Sequence, residues 1–143
     1  MRRRVAQAKH SAGILDAKTG RGRMMDIELL AQAGALLAGQ VSRDVPAGLA
    51  GAVARGLLMP GAARTLERFY AMFHSIQTAS RLLSPQTPQL GDLGEAATDM
   101  LCRAANVETA SELAERLEAA YLRAAALVDA AIGQDKEESG DEG

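Results

Sequence analysis

The sequence predicts an all-α protein, folded as a single helical bundle of about five helices. Apolar residues make up 48% of the 143 residues, whereas aromatic residues make up only 3%. The core must therefore be built mainly from aliphatic side chains, and Ala, Leu and Met are also strong helix formers. Apolar positions recur at helical spacings along the chain, and no segment alternates as a half-buried strand does. The length fits one ordinary domain.

The first predicted helix runs from Met24 to about Ala38. It is apolar on nearly every side, and Glu28 and Gln32 form a narrow polar stripe, so we expect this helix to lie centrally among the others. A second helix is predicted over residues 47–58.

A long third helix is predicted from Pro60, which suits a first helical turn, to about Leu83. Its apolar stripe is broken only by Ser80 and should lie in the core. The stripe consists of Ala62, Leu66, Phe69, Phe73, Ile76 and Leu83. Residues 84–92 contain two prolines and a glycine and should form a connector, followed by a shorter fourth helix over residues 93–105.

The fifth helix has the sharpest start signal, because Thr109 precedes Glu112 by three residues, as in a capping box. Gly133 lies where a C-terminal cap belongs. We therefore divide the chain into a helical domain, residues 1–133, and a disordered acidic tail, residues 134–143. The apolar stripe of the fifth helix consists of Leu113, Leu117, Ala120, Ala124, Leu127 and Ala131.

The charge is distributed unevenly along the chain. Residues 1–81 carry 12 basic and 5 acidic side chains, whereas residues 82–143 carry 4 basic and 13 acidic ones. The first 23 residues hold seven basic groups against Asp16 alone. This basic N-terminal arm would attract phosphates or an acidic partner, and the alternative is a solvated arm that binds nothing.

The single cysteine, Cys102, excludes an internal disulfide and suits a reducing compartment. We expect Cys102 to be buried as a small hydrophobic residue. No apolar stretch approaches the roughly 20 residues of a membrane span, and no signal peptide is recognised. We therefore expect a soluble, cytoplasmic protein without a membrane partner.

Most of the candidate functional residues lie in the segment AKTGRGRMMDIELLAQ, residues 17–32. Lys18, Arg21 and Arg23 stand within six residues of one another, on a loop that contains two glycines. Holding three cations together gives a bundle little stability, since exposed ion pairs contribute about 0 to 1 kcal/mol each. We therefore expect these side chains to act outside the bundle, on a phosphate or at a domain interface.

Asp26 and Glu28 resemble the paired acids that hold magnesium in nucleotide-transferring enzymes. On a helix, however, residues two apart diverge by roughly 200°, so the two carboxylates cannot share one ion. We assign no metal site and no catalytic residue in this chain. Asp26, Glu28 and Gln32 are assigned instead to fixing the first helix, by ion pairing and by the favourable position of acids near a helix start.

Other catalytic patterns are missing from the sequence. His10 and His74 have no Cys or His at ligand spacing. The TGRGR stretch lacks the phosphate loop GxxxxGK[ST], and no G-x-S-x-G is present.

The segments MRRRVAQAK and DAKTGRGRMMDIELLAQ together resemble the C-terminal helical domain of the glutamine synthetase adenylyltransferase family. That family's pattern reads approximately Lys-x-x-x-Gly-Gly-[Ile/Leu]-x-Asp-Ile-Glu-Phe-x-x-Gln. Arg23 replaces the second glycine and Leu29 the phenylalanine. The resemblance is specific over residues 1–39, extends through the order of helices to about residue 131, and excludes the acidic tail. The positions in register are Lys18, Gly22, Met24, Asp26, Ile27, Glu28 and Gln32.

The resemblance implies a role in nitrogen regulation. Members of the family have two similar halves, each a nucleotidyltransferase domain followed by a helical domain. The C-terminal half transfers AMP from ATP to a tyrosine of glutamine synthetase, and the N-terminal half removes it by phosphorolysis. The sequence Asp26-Ile27-Glu28 favours the C-terminal half. Glutamine synthetase and the PII signalling protein are the partners that the family implies.

The magnesium-binding carboxylates of the family lie in a Gly-Ser-x-x-Asp-x-Asp segment of the nucleotidyltransferase domain, and this chain contains no such segment. ATP and Mg²⁺ are therefore implied for the complete enzyme, and no cofactor is expected for this chain alone. We expect the isolated chain to transfer no AMP. Its loop and first helix would flank a site whose catalytic part precedes Met1 in a longer protein, belongs to a separate chain, or was present in an ancestor that has since been truncated, with Lys18, Arg21 and Arg23 facing that domain.

Two other interpretations of the sequence stay open. The chain could be a free-standing helical interaction module whose basic arm binds an acidic partner or nucleic acid. Nucleic acid is the weaker choice, because a helix-turn-helix signature and stacking aromatic residues are missing. A complete small enzyme is the third reading.

Overall fold

The computed structural model describes residues 13–40, 44–84 and 86–140, with side chains as far as Gly133. Within these ranges the chain forms five α-helices and no strand, which confirms the predicted all-α bundle. The basic segment 1–12, including His10, lies outside the described residues. A short 3₁₀ helix, Leu90–Asp92, precedes α4. The helices are α1 (Met24–Leu37), α2 (Val45–Ala54), α3 (Pro60–Leu83), α4 (Glu95–Ala105) and α5 (Ala110–Gly140).

The start of α2 is two residues earlier than predicted and its end four residues earlier. Asp44 is its N-cap, with a carboxylate oxygen that accepts a hydrogen bond of 3.2 Å from the amide of Ala47, and Pro46 lies in the first turn. The helix ends before Gly56, where a φ of +79° turns the backbone away. The predicted bounds 47–58 were therefore wrong, whereas α3 has the predicted bounds.

The capping box at the start of α5 is confirmed, since the amide of Glu112 donates to the Thr109 hydroxyl over 3.1 Å. The predicted end at Gly133 is wrong, because α5 continues to Gly140. A glycine inside a helix costs only about 1 kcal/mol relative to alanine, and the Gln, Lys and Glu residues that follow are good helix formers. The backbone of residues 134–140 is thus helical where a disordered tail was expected, and residues 141–143 lie outside the described part.

The core sits where the predicted stripes of α3 and α5 meet. Leu66, Phe73 and Ile76 of α3 are fully buried, and Phe69 packs against them from a half-buried position. Cys102 of α4 is also buried, as predicted. His74 lies exposed on α3. The α5 residues that complete the core are Leu113, Leu117, Ala120, Tyr121, Ala124, Val128 and Ala131.

The helices α1 and α2 cross with their backbones in close contact. A Cβ atom on Gly34 would lie 2.3 Å from the carbonyl oxygen of Gly48, which leaves no room for any side chain at that crossing. The close approach lets both short helices bury aliphatic residues such as Leu30 and Leu49 completely.

Helix α1 contacts α2, α3 and α5, so its central position is confirmed on three sides. One face nevertheless remains open. Met25 and Leu29 are each 47% exposed and Leu36 is 77% exposed, and Gln32 between them is exposed as well. These four residues recur at helical spacing and are called the α1 stripe below. None of the described helices combines the length and apolar character needed to cross a membrane.

Candidate functional site: the loop before the first helix

The loop that carries the candidate cations is a packed element of the bundle. Leu15 and Ala17 are completely buried. The amide of Met24 donates to the carbonyl of Ala17 and that of Met25 to the carbonyl of Lys18, each over 2.9 Å. The loop therefore continues directly into α1, and its position is fixed by the same core that holds the helices.

Gly22 has no space for a side chain. Its φ is +73°, and a Cβ atom would lie 1.9 Å from the carbonyl oxygen of Tyr121 and 2.8 Å from the amide nitrogen of Ala125. The loop backbone thus rests directly on the backbone of α5. Only glycine combines this left-handed conformation with this contact.

Asp26 holds the same glycine from the other side. The Asp26 carboxylate accepts a hydrogen bond of 2.9 Å from the amide of Gly22, and Asp26 is only 9% exposed. It also stands in the first turn of α1, where a negative charge is favourable. The spacing of four residues between Gly22 and Asp26 therefore has a physical reason, because it closes the loop onto the helix start.

Arg23 is also used inside the bundle. Its guanidinium donates to the carbonyl oxygen of Gly13 over 2.9 Å and to that of Asp16. The Cζ atom lies 4.2 Å from the centroid of the Tyr121 ring, which is a cation–π contact. Residue 23 has a φ of −104°, an ordinary extended conformation, so an arginine fits where the family pattern has a glycine.

Tyr121 completes this arrangement by donating its hydroxyl to the carbonyl of Ile14 over 2.7 Å. Burial raises the pKa of Tyr121 above its ordinary value, the charge of Arg23 lowers it in part, and Asp16 raises it further. The phenol therefore stays protonated and remains a hydrogen-bond donor at neutral pH. Residues 13–16 are thereby fixed to α5.

The other two cations differ in their surroundings. Arg21 forms an ion pair with Asp129 of α5, and both side chains are partly exposed. Lys18 is exposed, and its side chain makes no hydrogen bond or ion pair with the described residues. The backbone around it is ordered by Asp16, whose carboxylate accepts from the amides of Lys18 and Thr19 over 3.1 Å each.

The two acids of α1 contact different elements, as their helical spacing predicts. Asp26 contacts the loop, whereas Glu28 accepts a hydrogen bond of 2.6 Å from the Tyr70 hydroxyl on α3. Burial, this hydrogen bond and the charge of Glu28 raise the pKa of Tyr70 to about 12. Gln32 is exposed on the α1 stripe. The described residues contain no cluster of three or more His, Cys, Asp or Glu side chains that could hold a metal ion.

Sequence reasoning therefore named the loop and both acids but missed their partners. Tyr121 is adjacent to Ala120 in the apolar stripe of α5, and Tyr70 is adjacent to Phe69 in that of α3. Each tyrosine therefore looks like part of a core face, and neither stands out in the sequence. The one available signal is the scarcity of aromatic residues, since both tyrosines of the chain have a hydroxyl engaged in these contacts.

No protein-family model, curated protein or solved structure matches this chain.

Proposed function

We propose that the chain is the C-terminal helical part of an adenylyltransferase that transfers AMP from ATP to a tyrosine of glutamine synthetase. In this role it supports a nucleotidyltransferase domain, which a longer protein or a separate chain supplies. The observation that carries the proposal is the hydrogen bond between Gly22 and Asp26, two residues of the quoted family pattern. This hydrogen bond gives the four-residue spacing of Gly22 and Asp26 in the pattern a structural role in this chain.

The residues of the pattern divide into two groups. Gly22, Asp26 and Glu28 hold the loop and α1 against α5 and α3. Lys18, by contrast, is exposed and belongs to the same rigid loop. A cation that is held in place by its backbone while its side chain stays in solvent is suited to contact phosphates or carboxylates of another domain.

The α1 stripe supports the same role. The carbonyl of Lys18 accepts from the amide of Met25, so Lys18 adjoins the first residue of the stripe. Met25, Leu29 and Leu36 expose apolar side chains on one face of α1, with Gln32 between the two leucines, and exposed apolar patches with polar neighbours mark sites of protein contact. We propose that the nucleotidyltransferase domain packs on the α1 stripe, with Lys18 near its ATP and Mg²⁺ site. Glutamine synthetase and the PII signalling protein would be partners of the complete cytoplasmic enzyme.

A binding measurement tests this proposal. A nucleotidyltransferase domain of the adenylylating half is mixed with this chain, and the affinity is measured by calorimetry. We expect Leu29→Glu to abolish binding, because it places a charge at the centre of the apolar surface. Leu122→Glu is the matched control, since Leu122 is 67% exposed on α5, outside the α1 stripe. An intact chain that fails to bind, or equal losses in both variants, would refute the proposed interface.

The alternative is a free-standing interaction module, and the α1 stripe is the observation that favours it as well. An exposed apolar face beside a cation would fit an acidic amphipathic partner helix without any catalytic domain. The calorimetric experiment separates the two proposals, because a module of this kind would not bind the nucleotidyltransferase domain.

A further inference from the structure

A cleft of about 900 Å³ lies between α3, the end of α4 and the first half of α5. Neither the loop of residues 13–23 nor the α1 stripe lines this cleft, so it is separate from the proposed interface. Its volume is in the range of small-molecule sites. The apolar residues that line it are Phe69, Met72, Ala104, Ala105, Val107, Ala119 and Ala120.

The aromatic part of this lining is fixed by the core. The ring of Phe69 lies 6.1 Å from that of Phe73, centroid to centroid, and Phe73 lies 5.0 Å from Tyr121. Phe69 is half-buried, so one part of its ring packs inward while the rest meets the cleft. Such an anchored aromatic surface offers apolar contact with little loss of side-chain freedom on binding.

The edge of the cleft is basic. Arg68 of α3 and Arg116 and Arg123 of α5 are exposed, and none of the three makes an ion pair or hydrogen bond within the described part of the chain. The planar guanidinium group matches carboxylate and phosphate oxygens in a two-pronged geometry. The guanidinium donors of all three arginines are therefore available to bind an anionic group.

Two glutamates also line the cleft and limit the charge of the ligand. Glu112 accepts a hydrogen bond from the Thr109 hydroxyl in the capping box, and Glu115 lies next to Arg116 in sequence. With three arginines against two glutamates, the lining has a net charge of +1, which matches a single anionic group and neutralises only a small part of the charge of a polyphosphate or a nucleic acid backbone.

We propose that this cleft binds an amphiphilic anion, a small molecule with an apolar body and one carboxylate or phosphate group. The apolar body lies on Phe69 and Met72, and the anionic group pairs with the arginines at the edge. The proposal does not depend on the adenylyltransferase role, because it uses none of the residues assigned to that role.

The experiment titrates the intact protein with dodecyl phosphate and with dodecanoate, each below its micelle concentration, and follows binding by calorimetry. Saturable one-to-one binding of at least one of them is expected, and the stronger probe identifies the preferred anionic group. Dodecyl maltoside, which has the same apolar chain and no charge, should bind at least about tenfold more weakly. No saturable binding, or equal binding of the uncharged probe, would overturn the proposal.

A matched pair of variants locates the site. Ala119→Glu adds a negative charge on the wall of the cleft, whereas Ala126→Glu adds the same charge on an exposed part of α5 outside it. Both positions are exposed and helical, so both variants should fold, which circular dichroism checks. Ala119→Glu is expected to weaken binding of the anionic probe at least about tenfold. Equal effects of the two variants would place binding elsewhere and refute the site.

Discussion

The guanidinium of Arg23 lies over the ring of Tyr121, with Cζ 4.2 Å from the ring centroid. These residues are far apart in the chain, yet between them they donate hydrogen bonds to three carbonyl groups of the loop. Arg23 donates to the carbonyls of Gly13 and Asp16, and Tyr121 donates to that of Ile14. The loop is therefore held on α5 by the cation–π contact and the Tyr121 hydrogen bond, and the two hydrogen bonds of Arg23 fix the path of the loop itself.

The first prediction concerns this contact. Arg23→Lys should lower the free energy of unfolding by about 1 to 3 kcal/mol, because the guanidinium stacks on the Tyr121 ring while its Nη1 atom donates to both carbonyls, and a lysine ammonium group lacks the planar group needed to do both. Urea unfolding measures the change. Arg21→Lys is the control and should cost less than about 0.5 kcal/mol, since Arg21 pairs with Asp129 at an exposed position. Equal losses in the two variants would contradict the special role of Arg23.

The second prediction concerns Gly22. Gly22→Ala should destabilise the protein by more than about 2 kcal/mol, because the new Cβ meets the α5 backbone and the φ of +73° is unfavourable for alanine. Gly56→Ala shares the unfavourable conformation, with a φ of +79°, but has nothing within 4 Å of the new Cβ. The difference between the two unfolding free energies therefore isolates the contact with α5. A Gly22→Ala variant no less stable than Gly56→Ala would show that the contact is absent.

The third prediction concerns pH. Tyr70 has a pKa of about 12 in the folded protein against its ordinary value of 10.0, so its neutral form is favoured by folding. Its contribution to stability is complete below about pH 10 and is lost as the pH rises from about 10 to about 12. Glu28→Gln removes the neighbouring charge and should lower the pKa of Tyr70 towards 10, although burial keeps it raised. An NMR titration of the Tyr70 ring measures this shift, and Glu118→Gln on α5 should leave it unchanged. An unchanged pKa in Glu28→Gln would contradict the contact.

The fourth prediction concerns Ser80, which interrupts the apolar stripe of α3. Ser80 is 3% exposed, and its hydroxyl has no hydrogen-bond partner within the described structure. A buried hydroxyl without a partner costs about 1 to 3 kcal/mol, so Ser80→Ala should raise the free energy of unfolding by about 1 kcal/mol. Ser75→Ala, at an exposed position of the same helix, should change it by less than about 0.5 kcal/mol. A loss of stability in Ser80→Ala would mean that the hydroxyl does have a partner.

The helices could be predicted from the sequence because their signals are local. The stripe of α3 and the Thr109 capping box depend only on residues within a few turns, and both are confirmed. Asp44 followed by Pro46 is an equally local start signal that explains why α2 begins earlier than the periodicity suggested. The end of α5 was misjudged because one glycine is a weak barrier to a helix.

The contacts of the candidate site could not be predicted in this way. Tyr70 meets Glu28 across 42 residues and Tyr121 meets Ile14 across 107, and these pairs depend on how the helices pack rather than on any spacing along one helix. The sequence also predicted no partner inside the bundle for Arg21 or Arg23. The structure supplies partners for both, which leaves Lys18 as the cation best placed to act on another domain.

The measurement that tests the proposed role most directly is AMP transfer by the complete enzyme carrying Lys18→Ala. The assay follows label from ATP onto glutamine synthetase in the presence of magnesium, beside the thermal unfolding midpoint of the isolated bundle. Because the Lys18 side chain is exposed, we expect transfer to fall by about tenfold or more while the midpoint stays nearly unchanged. Full transfer together with a clearly lowered midpoint would make Lys18 a structural residue of the bundle and contradict the proposed support of the nucleotidyltransferase domain.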